Sequence, residues 1–176
     1  MALWTTNSGW RIYVNFDWRE WLFKTKDEEF TKVSWVLTWI ETRSYKWWPK
    51  KDKDWFGLNL LMEDWEEKYQ VQFWFNWISN SILNSLQNAD KEKIKEPLFL
   101  TVYQAKDSEY FNVFTALWAP DKDHSLSWKD DMKEFIKSIE SEEDKTKFVK
   151  KLAKDLWLNS KEKEDTAPAV STDVPF

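Results

Sequence analysis

Tryptophan stands at places in this chain where a folded protein normally uses glycine. The 176 residues include 15 tryptophans and only 2 glycines, whereas average usage of about 7% predicts roughly a dozen glycines. Glycine supplies the left-handed backbone conformations that turns and helix ends often need. A chain almost without it must avoid such positions or force another residue into them, and this limits every turn of the fold.

The tryptophans fall where turn patterns predict glycine. Asp64-Trp65 separates two strand-like runs, as Asp-Gly does in a tight hairpin. Trp157 follows a helical run at the C′ position that glycine favours. Others are predicted to lie in turns, in a Lys-rich loop or at a helix start: Trp18, Trp47, Trp48, Trp55 and Trp77. We hypothesise that many of the 15 codons are UGA, read as glycine in the source. The alternative is a genuine Trp-rich binding surface.

Residues 32–45 form a long strand candidate that is expected to bend. Simple alternation divides its side chains between two faces. One face carries Val33, Trp35, Leu37 and Trp39, and the other carries Val36, Thr38 and Ile40. Glycine at positions 35 and 39 would suit a sharp bend of the kind found at barrel corners.

The periodicity of apolar residues predicts the element order β-β-β-α-β-β. The elements are strands at residues 32–45, 56–63 and 67–75, a helix at 78–86, and strands at 98–103 and 110–117. This is the order of the OB-fold, a five-stranded Greek-key barrel, although an ordinary α+β roll would give the same order. Two shorter strands, at residues 11–16 and 22–24, precede it. We predict a mainly β fold with helices.

Composition divides the chain into four parts. Residues 10–118 are predicted to form the OB-fold domain, and residues 119–128 a linker. Residues 129–157 carry two amphipathic helical patterns and are predicted to form a C-terminal helical pair. Residues 158–176 are polar, charged and rich in Pro and Ala, which is typical of a disordered tail.

Composition also excludes several functional classes. The chain has no cysteine, so it has no disulfide, thiolate metal site or Cys nucleophile. The single histidine, His124, lies in a polar loop, and no catalytic motif is present. We therefore predict a protein that is not an enzyme and needs no metal or cofactor. Because no apolar run reaches the ~18 residues of a membrane span and no signal peptide is recognisable, we expect a cytoplasmic protein without membrane contact.

Two sets of residues favour nucleic-acid binding despite the net charge of −5. The first is a basic segment at the position of the first OB hairpin loop, a principal nucleic-acid contact: Arg43, Lys46, Lys50, Lys51 and Lys53. The second is an outward row of aromatic residues on the last hairpin, which could stack bases: Phe99, Tyr103, Tyr110 and Phe114. The alternatives are a solvated loop and a face covered by the C-terminal helices or another subunit.

The chain ends in Asp173-Val174-Pro175-Phe176. The terminal ring and the terminal carboxylate form one compact ligand, which a partner can bind with an apolar pocket and a basic side chain. Pro175 stiffens this tip and lowers its ordering cost. The tip, following a polar linker and an OB-like strand order, resembles the bacterial single-stranded-DNA-binding protein family, including its phage members, whose acidic tail ends in Asp-x-Pro-Phe.

The body of the chain is loosely similar to small phage single-stranded-DNA-binding proteins over residues 32–117. The similarity is strongest in residues 56–60 and 66–73 and continues through residues 81–90 and 98–103. The tail departs from the family pattern because Lys161 and Lys163 offset much of its acidic charge.

The resemblance implies sequence-independent binding of single-stranded DNA in replication, recombination and repair, in a phage or in a bacterium with a reassigned stop codon. Residues 173–176 would recruit replication or recombination proteins, and unpaired edge strands would allow homo-oligomers. The alternative function is a non-enzymatic protein–protein adaptor that uses the same aromatic face without binding nucleic acid. A steep loss of affinity for poly-dT with rising salt would separate the two.

Overall fold

The structure is a computed structural model, and it describes residues 11–46, 54–104, 106–126 and 129–158. Eight strands and three α-helices lie within these residues. They are β1 (Ile12–Asp17), β2 (Leu22–Lys24), β3 (Glu29–Phe30), β4 (Lys32–Lys46), β5 (Asp54–Glu63), β6 (Lys68–Trp74), α1 (Trp77–Gln87), β7 (Pro97–Gln104), β8 (Phe111–Leu117), α2 (Asp130–Ser138) and α3 (Glu142–Asp155).

The described strands join one curled sheet in the order β3-β2-β1-β6-β5-β4-β7-β8. Neighbouring strands are antiparallel except β1 and β6, which are parallel. The sheet curls so far that the turn between β1 and β2 reaches β8. There the Trp21 ring stacks on the Phe111 ring, with centroids 5.5 Å apart. The predicted mixed α+β class is confirmed.

The predicted order β-β-β-α-β-β is found in β4, β5, β6, α1, β7 and β8. These five strands alone would close into a barrel only if their two outer strands, β6 and β8, paired with each other. Instead β6 pairs with β1, where Ile12 lies opposite Tyr69, and β8 lies at the edge of the sheet. The N-terminal strands therefore extend the sheet at the place where a five-stranded barrel would close.

Strand β4 carries a bulge that changes the predicted division of its faces. Its register with β5 shifts between Leu37 and Trp39, so Leu37 lies opposite Met62 and Trp39 lies opposite Leu61. The extra residue places Trp39 on the same face as Val36 and returns Ile40 to the face of Leu37. The prediction that Trp39 shares a face with Leu37 was wrong, because it assumed an unbroken period of two.

The hydrophobic core joins the sheet to all three helices. Its members include Phe73 of the sheet, Leu83 of α1, Ile136 of α2, and Val149 and Leu152 of α3. The apolar positions predicted for α1 are all fully buried: Ile78, Ile82, Leu83 and Leu86.

Specific hydrogen bonds fix the helices in place. Asn84, on α1, donates to the carbonyl of Lys129 at 3.0 Å, and thereby holds the start of α2 against α1. The hydroxyls of Thr42 on β4 and Thr146 on α3 lie 2.6 Å apart. The two C-terminal helices therefore pack on the same core as the sheet.

The outer edge of β8 has its hydrogen-bonding groups partly occupied. The backbone N–H of Val113 donates to the side chain of Asn112 at 2.8 Å. The carbonyl of Thr115 accepts from the N–H of Leu126 at 3.0 Å. Local bonds of this kind discourage another chain from pairing with an edge strand.

Tryptophan occupies left-handed backbone positions in this fold. Of the described residues other than glycine, four have a positive φ, and three of these are tryptophans. The values are 57° at Trp21, 60° at Asp107, 74° at Trp118 and 58° at Trp157. A positive φ is uncommon for any residue with a side chain, and for a bulky one it is a marked outlier. These three positions have the geometry that favours glycine.

The end of α3 shows this most clearly. The N–H of Trp157 donates to the carbonyl of Lys154 at 3.0 Å, and the N–H of Leu158 donates to that of Ala153 at 3.1 Å. This pair of bonds is the Schellman motif, whose C′ residue is usually glycine. The predicted C′ position of Trp157 is confirmed.

Other tryptophans do not require glycine. Trp65 lies at the tip of the β5–β6 hairpin with 91% of its surface exposed, but its φ is not positive. Trp77 is the first residue of α1 and follows the N-cap Asn76. The turn at Trp65 and the helix start at Trp77 were predicted, whereas a left-handed backbone at Trp65 is not found. The turn predicted at Trp55 was wrong, because Trp55 lies within β5 opposite Tyr45 of β4. Exposure is nevertheless common, because six of the nine tryptophans with described side chains are exposed.

Candidate nucleic-acid interface

The β7–β8 hairpin has one face in the core and one facing outward. Leu98 and Leu100 are fully buried, and Phe99 between them points the other way. Across the hairpin Thr101 lies opposite Phe114, and Tyr103 lies opposite Asn112. The predicted division of this hairpin into an inward and an outward face is confirmed.

We call the four outward aromatic residues Phe99, Tyr103, Tyr110 and Phe114 the aromatic strip. Tyr110 is 81% exposed and Tyr103 is 42% exposed, whereas Phe99 and Phe114 are half-buried. The rings of Tyr103 and Phe114 meet edge to face, with centroids 6.3 Å apart. This contact supports Tyr103 from one side and leaves part of its surface open to solvent.

A lysine that sequence reasoning missed lies in line with the strip. Lys32 begins β4 and lies opposite Thr101 of β7, which itself lies opposite Phe114 of β8. The three residues form one row across the sheet, and Lys32 is exposed. Only the register between distant strands brings Lys32 here, so no local sequence pattern could have identified it.

The charge around the strip is mixed. Lys106, Asp107 and Glu109 lie in the exposed hairpin tip next to Tyr110. A cationic side chain and two acidic ones therefore border the exposed end of the strip. Farther along the hairpin, the hydroxyl oxygen of Thr101 is buried without a hydrogen-bond partner.

Arg43 lies on the same face of the sheet but far from the strip. It lies opposite Gly57 of β5, which lies opposite Trp74 of β6. Its Nε is 3.9 Å from the carboxylate of Glu41. Arg43 lies eleven positions after Lys32 on β4, which corresponds to about 35 Å along the strand at the usual rise per residue. The structure thus does not bring Arg43 next to the aromatic strip.

The remaining predicted residues cannot be placed beside these. Lys46 ends β4, and its side chain lies outside the described residues. So do Lys50, Lys51 and Lys53 of the basic segment and the whole C-terminal tip, Asp173, Val174, Pro175 and Phe176.

The turn between β5 and β6 holds a hydrogen-bonded pair of ionisable side chains, Asp64 and Tyr69. Burial would raise the pKa of Asp64, but hydrogen bonds from the N–H groups of Glu67 and Glu66 outweigh it, and the pKa lies below its usual value. Tyr69 donates its hydroxyl to Asp64 at 3.1 Å. Burial, together with the charge of Asp64, raises the pKa of Tyr69 to about 12. These groups stabilise the β5–β6 turn.

His124 is bound within its own loop. Its Nδ1 lies 2.5 Å from Asp121, and its ring meets the Trp118 ring with centroids 4.6 Å apart. The hydrogen bond to His124 lowers the pKa of Asp121. His124 and Asp121 therefore stabilise the turn that follows β8.

The described residues offer neither a cluster of metal ligands nor a membrane-spanning helix. Within them no group of three or more His, Asp or Glu side chains could hold a metal ion. No helix in the same part of the chain is long and apolar enough to cross a membrane. In comparisons with known proteins, no protein family, curated protein or solved structure matches this chain.

Proposed function

We propose that this chain binds single-stranded DNA without reading its sequence, with bases stacked on the aromatic strip. The observation that carries the proposal is the division of the β7–β8 hairpin. Leu98 and Leu100 supply its core face, so Tyr103 and Tyr110 are not needed for packing and remain exposed. Exposed aromatic rings beside basic side chains are the arrangement by which proteins bind single strands irrespective of sequence.

Phosphate contacts would come from Lys32, in line with Phe114, and from the basic segment that begins at Arg43. A chain with net charge −5 repels DNA over most of its surface, so binding depends on such local positive charge. Both sets lie along β4, one near each end. A single strand of DNA long enough to reach both ends of β4 would contact both.

The fold we propose for the binding unit is an OB-like arrangement of β4 to β8 with α1 between β6 and β7. The pairings β4–β5, β5–β6, β4–β7 and β7–β8 support it. In this proposal β1 to β3 are an addition beside β6. The resemblance of residues 173–176 to the family tip supports a role in replication, recombination or repair, in a phage or a bacterium, with the tip recruiting partner proteins.

Anisotropy of a labelled dT oligomer tests this function directly. At low salt we expect binding to the full chain that weakens steeply as salt rises. Replacing Tyr110 with alanine should weaken binding about tenfold, because one stacked base contributes roughly 1–3 kcal/mol. Phe135→Ala is the matched control, since Phe135 is an exposed aromatic on α2, and it should leave affinity unchanged. Absence of binding at low salt would refute the function and favour the adaptor alternative.

Deletion of residues 173–176 separates DNA binding from the recruitment of partner proteins. DNA binding should persist, because the strip is intact, and capture of replication proteins should be lost. Loss of DNA binding on deletion would show that the role given to the tip is wrong.

A further inference from the structure

The indole of Trp21 fills a slot between the two ends of the curled sheet. Trp21 closes the β1–β2 turn, where its N–H donates to the carbonyl of Asp17 at 2.7 Å. Its ring is nearly parallel to that of Phe111, at 24° and 5.5 Å between centroids. On its other sides it contacts Phe16 at 5.9 Å and Trp77 at 5.6 Å. One planar aromatic ring system thus bridges β1, α1 and β8.

The backbone at this position is built for a residue without a side chain. Trp21 has a φ of 57°, which glycine adopts freely and an aromatic residue adopts with strain. With glycine at position 21, the ring face of Phe111 would be uncovered. Phe111 directly follows Tyr110, which is 81% exposed and belongs to the aromatic strip.

We infer that the slot against Phe111 is a stacking site for one base of the single strand, and that Trp21 occupies it in this chain. The inference rests on the proposed function. It extends the binding surface from the outer face of β8 to the place where the β1–β2 turn meets Phe111. The indole, a planar fused ring of about the size of a purine, shows that the slot accepts such a shape.

The test compares dT-oligomer affinities of the full chain and three variants at low salt. Trp21→Gly should bind about tenfold more tightly, because it frees one stacking surface. Adding Phe111→Leu to Trp21→Gly keeps an apolar side chain but removes the ring, and should abolish the gain. Trp18→Gly is the matched control in the same turn, where φ is not positive, and should leave affinity unchanged.

The outcomes distinguish the slot from the function itself. If the unmodified chain binds the oligomer and Trp21→Gly gives no gain, the slot is refuted while the function stands. An equal gain in affinity from Trp18→Gly, or a gain that survives Phe111→Leu, also refutes the slot. A general effect of glycine on the β1–β2 turn would then explain the gain. If no variant binds the oligomer, both proposals fail.

Discussion

Replacing Trp157 with glycine should stabilise this protein, contrary to the usual effect of deleting a large side chain. Trp157 holds the C′ position of α3 at a φ of 58°, with both bonds of the Schellman motif formed. A left-handed backbone costs a residue with a Cβ roughly 1–2 kcal/mol compared with glycine. The indole is 63% exposed, so its removal leaves no cavity in the core.

One favourable contact opposes this gain. The ammonium of Lys91 lies 4.1 Å from the centroid of the Trp157 ring, and an exposed cation–π contact contributes about 0.5–1 kcal/mol. The balance of these ranges is a gain of about 0–1.5 kcal/mol, and from its middle we expect Trp157→Gly to raise the free energy of unfolding by about 0.5–1 kcal/mol. For a chain of this size, that corresponds to a rise in Tm of about 1–4 °C.

Urea denaturation followed by circular dichroism measures the change, and two variants control it. Trp157→Ala removes the indole but keeps a Cβ, so it should lose the cation–π contact without the backbone gain and be less stable than Trp157→Gly. Trp65→Gly removes an exposed indole where φ is not positive, and it should be neutral or slightly destabilising. If Trp157→Gly destabilises the chain, or if Trp157→Ala stabilises it equally, the reasoning from backbone geometry is refuted.

Three further predictions follow from the same structure. Trp118→Gly should also raise the midpoint of urea unfolding, because Trp118 has a φ of 74° and is 61% exposed; an unchanged midpoint would contradict this. Asp64→Ala should lower the free energy of unfolding by about 1–2 kcal/mol at pH 7, because its carboxylate accepts two backbone hydrogen bonds. The folded pKa of Asp64 is depressed, so its contribution is present above the unfolded pKa of about 3.9 and declines as the pH falls below it. The difference in unfolding free energy between Asp64→Ala and the parent chain should therefore narrow as the pH falls from 7 toward 3. Finally, the gene should carry UGA at positions 21, 118 and 157; UGG at all three would exclude recoding.

Local patterns in the sequence were enough to predict most elements of the fold. Strict alternation on the β7–β8 hairpin gave the faces of Leu98 and Tyr103, because side chains on a strand have a period of two. The helical spacing of Ile82 and Leu86 gave the buried face of α1. The end of α3 at Trp157 was predicted because a capping motif depends on a few adjacent residues.

Features that depend on distant parts of the chain were not predicted. The parallel pairing of β1 with β6 could not be read from either strand, since alternation shows which face is buried and not which strand lies alongside. The bulge next to Leu37 inserts one residue and reverses the face of Trp39. The row that brings Lys32 into line with Phe114 depends on two registers, so this part of the candidate site needed the structure.

Photocrosslinking tests directly whether single strands of DNA bind on the aromatic strip. A dT oligomer carrying photoreactive thymidines would be irradiated with the full chain at low salt, and the attached peptides identified by mass spectrometry. We expect attachment at Tyr103 or Tyr110, competed by unlabelled dT oligomer and lost at high salt. Attachment only at sites outside the strip, such as Phe135 on α2, would contradict this expectation.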